Sequence, residues 1–153
     1  MGAAVLLAGR SLRLPARAAA AVVFFAAAIF FIPRSAPASA GVEWQPYAAS
    51  ALERAGRPAV VDFAAGWCVP CRELDEKTFS DPRVRDALAR RALFKADLTQ
   101  ARSPETIALS QKYEILGVPT IVFLDANGKE LRDLRLVGFE DADAFLARLA
   151  RAP

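Results

Sequence analysis

An unbroken apolar run, Ala18 to Ile32, divides this chain before any fold can be considered. It has no polar face, so it cannot be the surface helix of a globular domain. Arg10, Arg13 and Arg17 precede it; Pro33, Arg34 and Ser35-Ala36-Pro37-Ala38-Ser39-Ala40 follow. A charged segment, a 15-residue apolar stretch and an Ala-x-Ala ending have the grammar of a secretory signal peptide cleaved after Ala40. The run is shorter than the roughly 20 residues of a spanning helix. Retention of residues 18–32 as an N-terminal membrane anchor is the alternative reading. In both readings three Arg before the run against one after it hold the N-terminus in the cytoplasm and send the rest across. Residues 41–153 are therefore expected in an export compartment, most simply a bacterial periplasm.

Separating the leader changes the charge balance. The whole chain of 153 residues has a formal net charge of +3, but residues 1–40 hold four Arg and no acid. The remainder carries 16 Lys+Arg against 17 Asp+Glu, which removes the support for a basic nucleic-acid-binding face. The chain has no His, so Ser-His-Asp and Cys-His catalysis and every His-ligated metal or haem site are excluded. Its two Cys, Cys68 and Cys71, lie three apart.

Residues 41–153 suit one small α/β domain. Ala48 to Ala55 reads as a short helix stopped by Gly56 and Pro58. Ala59-Val60-Val61-Asp62-Phe63-Ala64 is a β-rich apolar run of the kind buried on both faces of a sheet. Gly66 to Cys71 turns out of it into a helical segment, Arg72 to Phe79, and Asp81-Pro82 restarts a helix to about Arg91. Leu93 to Leu98 alternates as a strand, Ser103-Pro104 opens a helix to Tyr113, and Thr120 to Leu124 is a third strand. Asp125 to Lys129, with Asn-Gly at its centre, predicts a hairpin to a fourth strand, Glu130 to Val137. Asp141 caps a final amphipathic helix through Leu149. This order predicts a central mixed sheet flanked by helices on both faces.

A Cys-x-x-Cys where a strand passes into a helix places Cys68 near orphan backbone N–H groups that stabilise a thiolate. Cys71 lies about one turn on, within reach of a ring with Cys68. The pattern suits a first thiolate that attacks a disulfide and a second that resolves the mixed disulfide. A zinc site would need ligands this chain lacks, and a purely structural bridge over two residues would restrain little chain. No metal and no cofactor are expected. Asp62 interrupts an apolar strand, where an ionised carboxylate is costly without a partner. It reads as a desolvated carboxyl with raised pKa, able to take a proton from Cys71. Pro119 immediately before a strand cannot donate to the ladder, which a bulged or cis X-Pro turn would resolve; on this tetrapeptide alone an ordinary trans loop Pro is the default.

Val61-Asp62-Phe63, Trp67-Cys68-Val69-Pro70-Cys71, Gly117-Val118-Pro119-Thr120 and Gly138 together resemble the thioredoxin superfamily. The resemblance implies a thioredoxin fold, Cys68 as an exposed nucleophile, Cys71 as the resolving thiol, a redox-active Cys68–Cys71 disulfide, and Asp62 as the buried acid-base group. It also implies a cis Val118–Pro119 bond, and a shallow substrate groove lined by Trp67, Val118, Pro119 and Gly138. Cys71 to Pro82, with Val137-Gly138-Phe139, is more specifically similar to the C-terminal thioredoxin-like domain of thiol:disulfide interchange proteins of the DsbD type. Glu76, where cytosolic thioredoxins typically carry a helix-kinking Pro, points the same way, whereas Pro70 inside the motif is a thioredoxin-like choice.

The resemblance implies a monomeric thiol:disulfide oxidoreductase exchanging with periplasmic dithiol and disulfide proteins, fed by a membrane electron donor of the DsbD transmembrane type. The 47 residues between Cys71 and Pro119 leave no place for the large helical insertion of DsbA-like oxidases. Glu73, Asp75 and Glu76 near the thiols, partly offset by Arg72 and Lys77, favour a reductant. Two alternatives are an apocytochrome c thiol reductase of cytochrome maturation and a non-catalytic docking module. The leader carries its own prediction: the intact mass of the exported protein should correspond to a chain starting at Gly41, whereas a mass retaining residues 1–40 would establish the anchor.

Overall fold

The structure, a computed structural model, describes residues 41–152; the expected leader lies outside the described residues. Five strands form one sheet: β1 (Gln45–Pro46), β2 (Ala59–Ala64), β3 (Ala92–Asp97), β4 (Thr120–Leu124) and β5 (Leu136–Val137), in spatial order β1-β3-β2-β4-β5. β3 runs parallel to both β1 and β2, whereas β4 is antiparallel to β2 and β5. The helices are α1 (Ala49–Arg54), α2 (Val69–Glu73), α3 (Pro82–Leu88), α4 (Pro104–Lys112) and α5 (Ala142–Leu149). The sheet and its flanking helices are those of the thioredoxin fold.

β2 is buried along its whole length and sorts its side chains by parity. Ala59, Val61 and Phe63 join Phe94, Val122 and Tyr113 in the core beneath α1 and α4. Val60 joins Leu74, Phe79, Val84, Leu88, Phe123 and Phe145 in the core beneath α2, α3 and α5. By the period of two, Asp62 lies on the same face as Val60, the face that α2 covers. Three helices begin as their sequences predict. The Asp81, Ser103 and Asp141 side chains accept from the N–H groups of Arg83, Thr106 and Ala144, with Pro82 and Pro104 in the first turns of α3 and α4.

Three readings need correction. The two-residue strand β1 was not foreseen, because a Gln-Pro pair has no strand signature of its own. The segment expected as one helix from Arg72 to Phe79 is instead the end of α2 followed by a π-helical turn, Leu74–Thr78, closed by Phe79 N–H to Leu74 C=O at 2.8 Å. The expected fourth strand, Glu130 to Val137, holds a single bridge between Leu124 and Glu130, then a 3-10 turn at Arg132–Leu134, and pairs fully only at β5. The turn drops Leu134 into the core with Leu136, and a continuous strand would put these two and Arg132 on one face. The Asp125–Lys129 turn itself forms as expected, with Gly128 at φ +77° and the Asp125 carboxylate accepting from Asn127 and Lys129.

Phe79 closes the π-helical turn between two rings, edge-to-face with Trp44 at 5.1 Å and with Phe145 at 5.4 Å. Phe79→Ala should therefore cost about 3–5 kcal/mol of stability, measured by urea unfolding at pH 7.

Candidate functional site

Cys68 is the N-cap of α2, and its Sγ accepts from the Cys71 N–H at 3.2 Å. The two sulfurs are joined in a disulfide with the Cα atoms 5.3 Å apart. Cys68 was expected to be exposed, but it is only 3% exposed. Its bonded sulfur packs with Ala64, Ala65 and Cys71 beneath Val118. The residues that meet solvent are its neighbours, Trp67 at 62% and Val69 at 56%. Trp67 is held by its indole N–H on the Thr99 carbonyl, and the Gly66 N–H donates to Thr99 Oγ1 at 2.8 Å. Asp97 in turn accepts from both the N–H and the hydroxyl of Thr99, so the end of β3 fixes the turn that carries the motif.

Facing the cysteines, the Val118–Pro119 peptide is cis. Thr120 donates its hydroxyl to the Gly117 carbonyl at 2.7 Å, and the Gly138 N–H donates to the Pro119 carbonyl at 2.9 Å. Gly138 sits at φ +88°, where a side chain would be strained. Leu116, Val137 and Phe139 are exposed along these same two segments. The sequence reading names Trp67, Val118, Pro119 and Gly138 for a groove; it does not name these three exposed apolar neighbours, whose signal is large apolar residues beside the motifs.

Asp62 is buried, and its Oδ2 lies 3.2 Å from Lys95 Nζ. Lys95 is the direct partner of Asp62 in the β2–β3 register. Its ammonium also reaches both oxygens of Asp75 at 2.9 Å and lies 5.9 Å from the Trp44 ring centroid. Asp75 belongs to the π-helical turn. Burial pushes the Asp62 carboxyl from an ordinary 3.8 up to about 6; Lys95 pulls it back only in part, and Asp75 adds a small upward push. Burial works against the Lys95 charge, yet the two carboxylates together raise its pKa above the usual lysine value. Asp62 Oδ1 is buried with no hydrogen-bond partner, so half of this carboxyl's bonding capacity is unspent.

A cavity of about 440 Å³ opens beside these groups, lined by Cys71, Asp75, Lys95 and Thr99 among others. Lys95 and Asp75 thus face this cavity together with the second cysteine. Sequence reasoning missed Lys95 and weighed Asp75 only as a nearby charge; the one signal available was a Lys in the alternating strand Leu93 to Leu98. Among the described residues no three His, Cys, Asp or Glu side chains cluster as metal ligands would.

A Cys-x-x-Cys capping a helix at the end of the central strand, opposite a cis X-Pro loop on a β1-β3-β2-β4-β5 sheet, defines a thioredoxin-fold protein with a redox-type site. A family model described as a thioredoxin-like domain matches residues 45–153, and the chain belongs to that family. It is 44% identical over 102 residues to the thiol:disulfide interchange protein DsbD of Pectobacterium atrosepticum, an alignment covering 67% of this chain and 18% of that protein. The chain thus spans under a fifth of the length of that relative. It is also similar to the oxidised C-terminal domain of Neisseria meningitidis DsbD: 32% identity, TM-score 0.58, covering 68% of this chain and 88% of that domain. A thioredoxin from Thermus thermophilus matches with 29% identity and TM-score 0.59, covering 72% of this chain and 86% of its own.

The buried carboxyl makes a stability prediction with a definite sign. With the native pKa above the unfolded one, the folded state holds the proton more tightly, so stability from this group is highest below about pH 4 and falls as pH rises towards 6. Two pH units correspond to about 3 kcal/mol at most. Asp62→Asn should remove that fall: the variant should unfold at higher urea than the parent at pH 8 and gain much less at pH 4.

Proposed function

We propose that residues 41–153 form a periplasmic thiol:disulfide oxidoreductase working by dithiol–disulfide exchange through Cys68-Val69-Pro70-Cys71, in the direction of target reduction. The observation that carries the reading is the Cys68–Cys71 disulfide at the start of α2, with Cys68 Sγ on the Cys71 N–H, beneath Val118 of the cis-Pro loop. The similarity to DsbD proteins and the export-type leader support the compartment and the chemistry.

In the reduced state the same Cys71 N–H is available to a Cys68 thiolate. That thiolate attacks one sulfur of a target disulfide, forming a mixed disulfide and releasing the other target sulfur as a thiolate, which is then protonated. Cys71 must next lose its proton. Asp62, ionised and with a pKa near neutrality, is the base that receives it. The Cys71 thiolate attacks Cys68 Sγ, the target leaves with its second thiol, and the Cys68–Cys71 disulfide is restored. Two electrons have passed to the target, and a membrane dithiol donor returns two to this chain.

The charges around the thiols favour this direction. Glu73 and Asp75 are paired with Lys77 and Lys95, and Glu76 offsets Arg72, so the motif has no surplus of cations around it. A site with this balance stabilises a thiolate less than one surrounded by cations, and so holds its electrons less tightly.

Cys71→Ser should leave mixed disulfides between Cys68 and exported proteins, detected as reductant-sensitive species on gels and identified by mass spectrometry; Cys68→Ser should form none. Equilibration with glutathione should give a potential near the thioredoxin end, about −270 mV, rather than the roughly −120 mV of DsbA. A value at the latter end would reverse the assigned direction.

A further inference from the structure

The two walls of the groove are tied together from behind by one guanidinium. Tyr113 and Glu114 follow the last turn of α4, where carbonyls have no helical partner. Arg135 donates from Nη2 to the Tyr113 carbonyl at 2.8 Å and from Nη1 to the Glu114 carbonyl at 3.2 Å. Glu130 holds the same guanidinium on two oxygens at 2.7 and 2.8 Å, and both side chains are largely buried. Glu114 has φ +53°, an uncommon conformation for a residue with a side chain, and its carboxylate is gripped by Arg132 at 2.8 Å. The chain therefore leaves α4 through a left-handed helix-ending residue, closed by the Ile115 N–H on the Ser110 carbonyl at 2.8 Å, and the next residues, Ile115 to Pro119, form the loop whose Val118 covers the cysteines.

The second wall begins at Arg135 itself. Two residues on is Val137, then Gly138, whose N–H reaches the Pro119 carbonyl. The Leu134 and Arg135 carbonyls are fixed by Arg148 at 3.1 and 3.2 Å, and Arg148 is held by Glu140. A planar fork that satisfies two carbonyls and a carboxylate at once leaves little freedom in the loop it holds. The Ile115 N–H on the Ser110 carbonyl closes the end of α4, and Arg135 adds the hold on the two carbonyls beyond it.

We infer that Arg135 is a positioning residue for target recognition: by holding the Tyr113 and Glu114 carbonyls it sets the cis-Pro loop against the Gly138 segment before a target arrives. The inference rests on the oxidoreductase reading above. Arg135 touches neither sulfur nor target; it acts by sparing the target the ordering of the loop.

The test is a split between recognition and chemistry, using the full exported chain with insulin as the probe disulfide protein and dithiothreitol as regenerant. Arg135→Met should raise KM by about 10-fold while kcat and the glutathione-determined potential hold. Arg135→Lys, which keeps the charge and can serve one carbonyl, should fall between. An unchanged KM in a folded variant, with only the unfolding temperature lowered, would make Arg135 a structural residue and overturn the inference. So would KM, kcat and potential all moving together. If the Met variant does not fold, the Lys variant decides alone by the same KM criterion. Failure of the parent chain to reduce insulin would be a different result, sinking the oxidoreductase reading itself.

Discussion

A carboxylate in the middle of a strand buried on both faces can exist only if something nearby answers its charge. Lys95 is that answer, and the pairing constrains more than Asp62. The two residues stand opposite each other in the parallel β2–β3 ladder. A slip of one residue would send Lys95 to the other face of the sheet, among Val61, Phe63 and Tyr113, and strand Asp62 without a cation. The ion pair therefore locks the register of the two central strands. The same register puts the end of β3 beside the motif, where Asp97 and Thr99 hold Gly66 and Trp67. Asp75 completes the cluster from above, and it is carried there by the π-helical turn rather than by α2. Fold and site thus share one electrostatic constraint.

The four best-defined helix starts put Cys68 in context. Asp81, Ser103 and Asp141 each turn an oxygen onto a free N–H of the first turn; Cys68 does the same with sulfur. The N–H that caps the helix on Cys68 Sγ is the same donor that a Cys68 thiolate would meet in the proposed exchange. Nothing about the backbone at α2 is specialised for chemistry except the identity of the capping atom. Its seclusion is a separate matter, supplied by Val118 and two alanines.

Local signals were legible in the sequence wherever a rule acts within a few residues. β2 announced itself by composition, the caps by Asp or Ser with a following Pro, and the Asp125–Lys129 turn by Asn-Gly. Asp62 was legible as an anomaly, a charge in an apolar run. What was not legible was its partner, because register between strands 33 residues apart in the chain is written in packing and not in either strand alone. The fourth strand failed for a related reason. Glu130 to Val137 has the composition of a strand, but Arg135 and Leu134 are drawn to partners in α4, α5 and the core, and the ladder gives way to a 3-10 turn. β1 escaped notice because its two residues are strand only by virtue of lying against Phe94 and Lys95.

The sheet ends on both sides in strands of two residues, Gln45–Pro46 and Leu136–Val137. Pro46 has no N–H to offer, and the bond-forming part of either edge is too brief to template another strand. Among the described residues, each outermost strand offers a second molecule only two residues to pair with. In the proposed exchange, blunt edges leave encounters with other proteins to the ends of the strands, where the cysteines are, and away from the sheet itself.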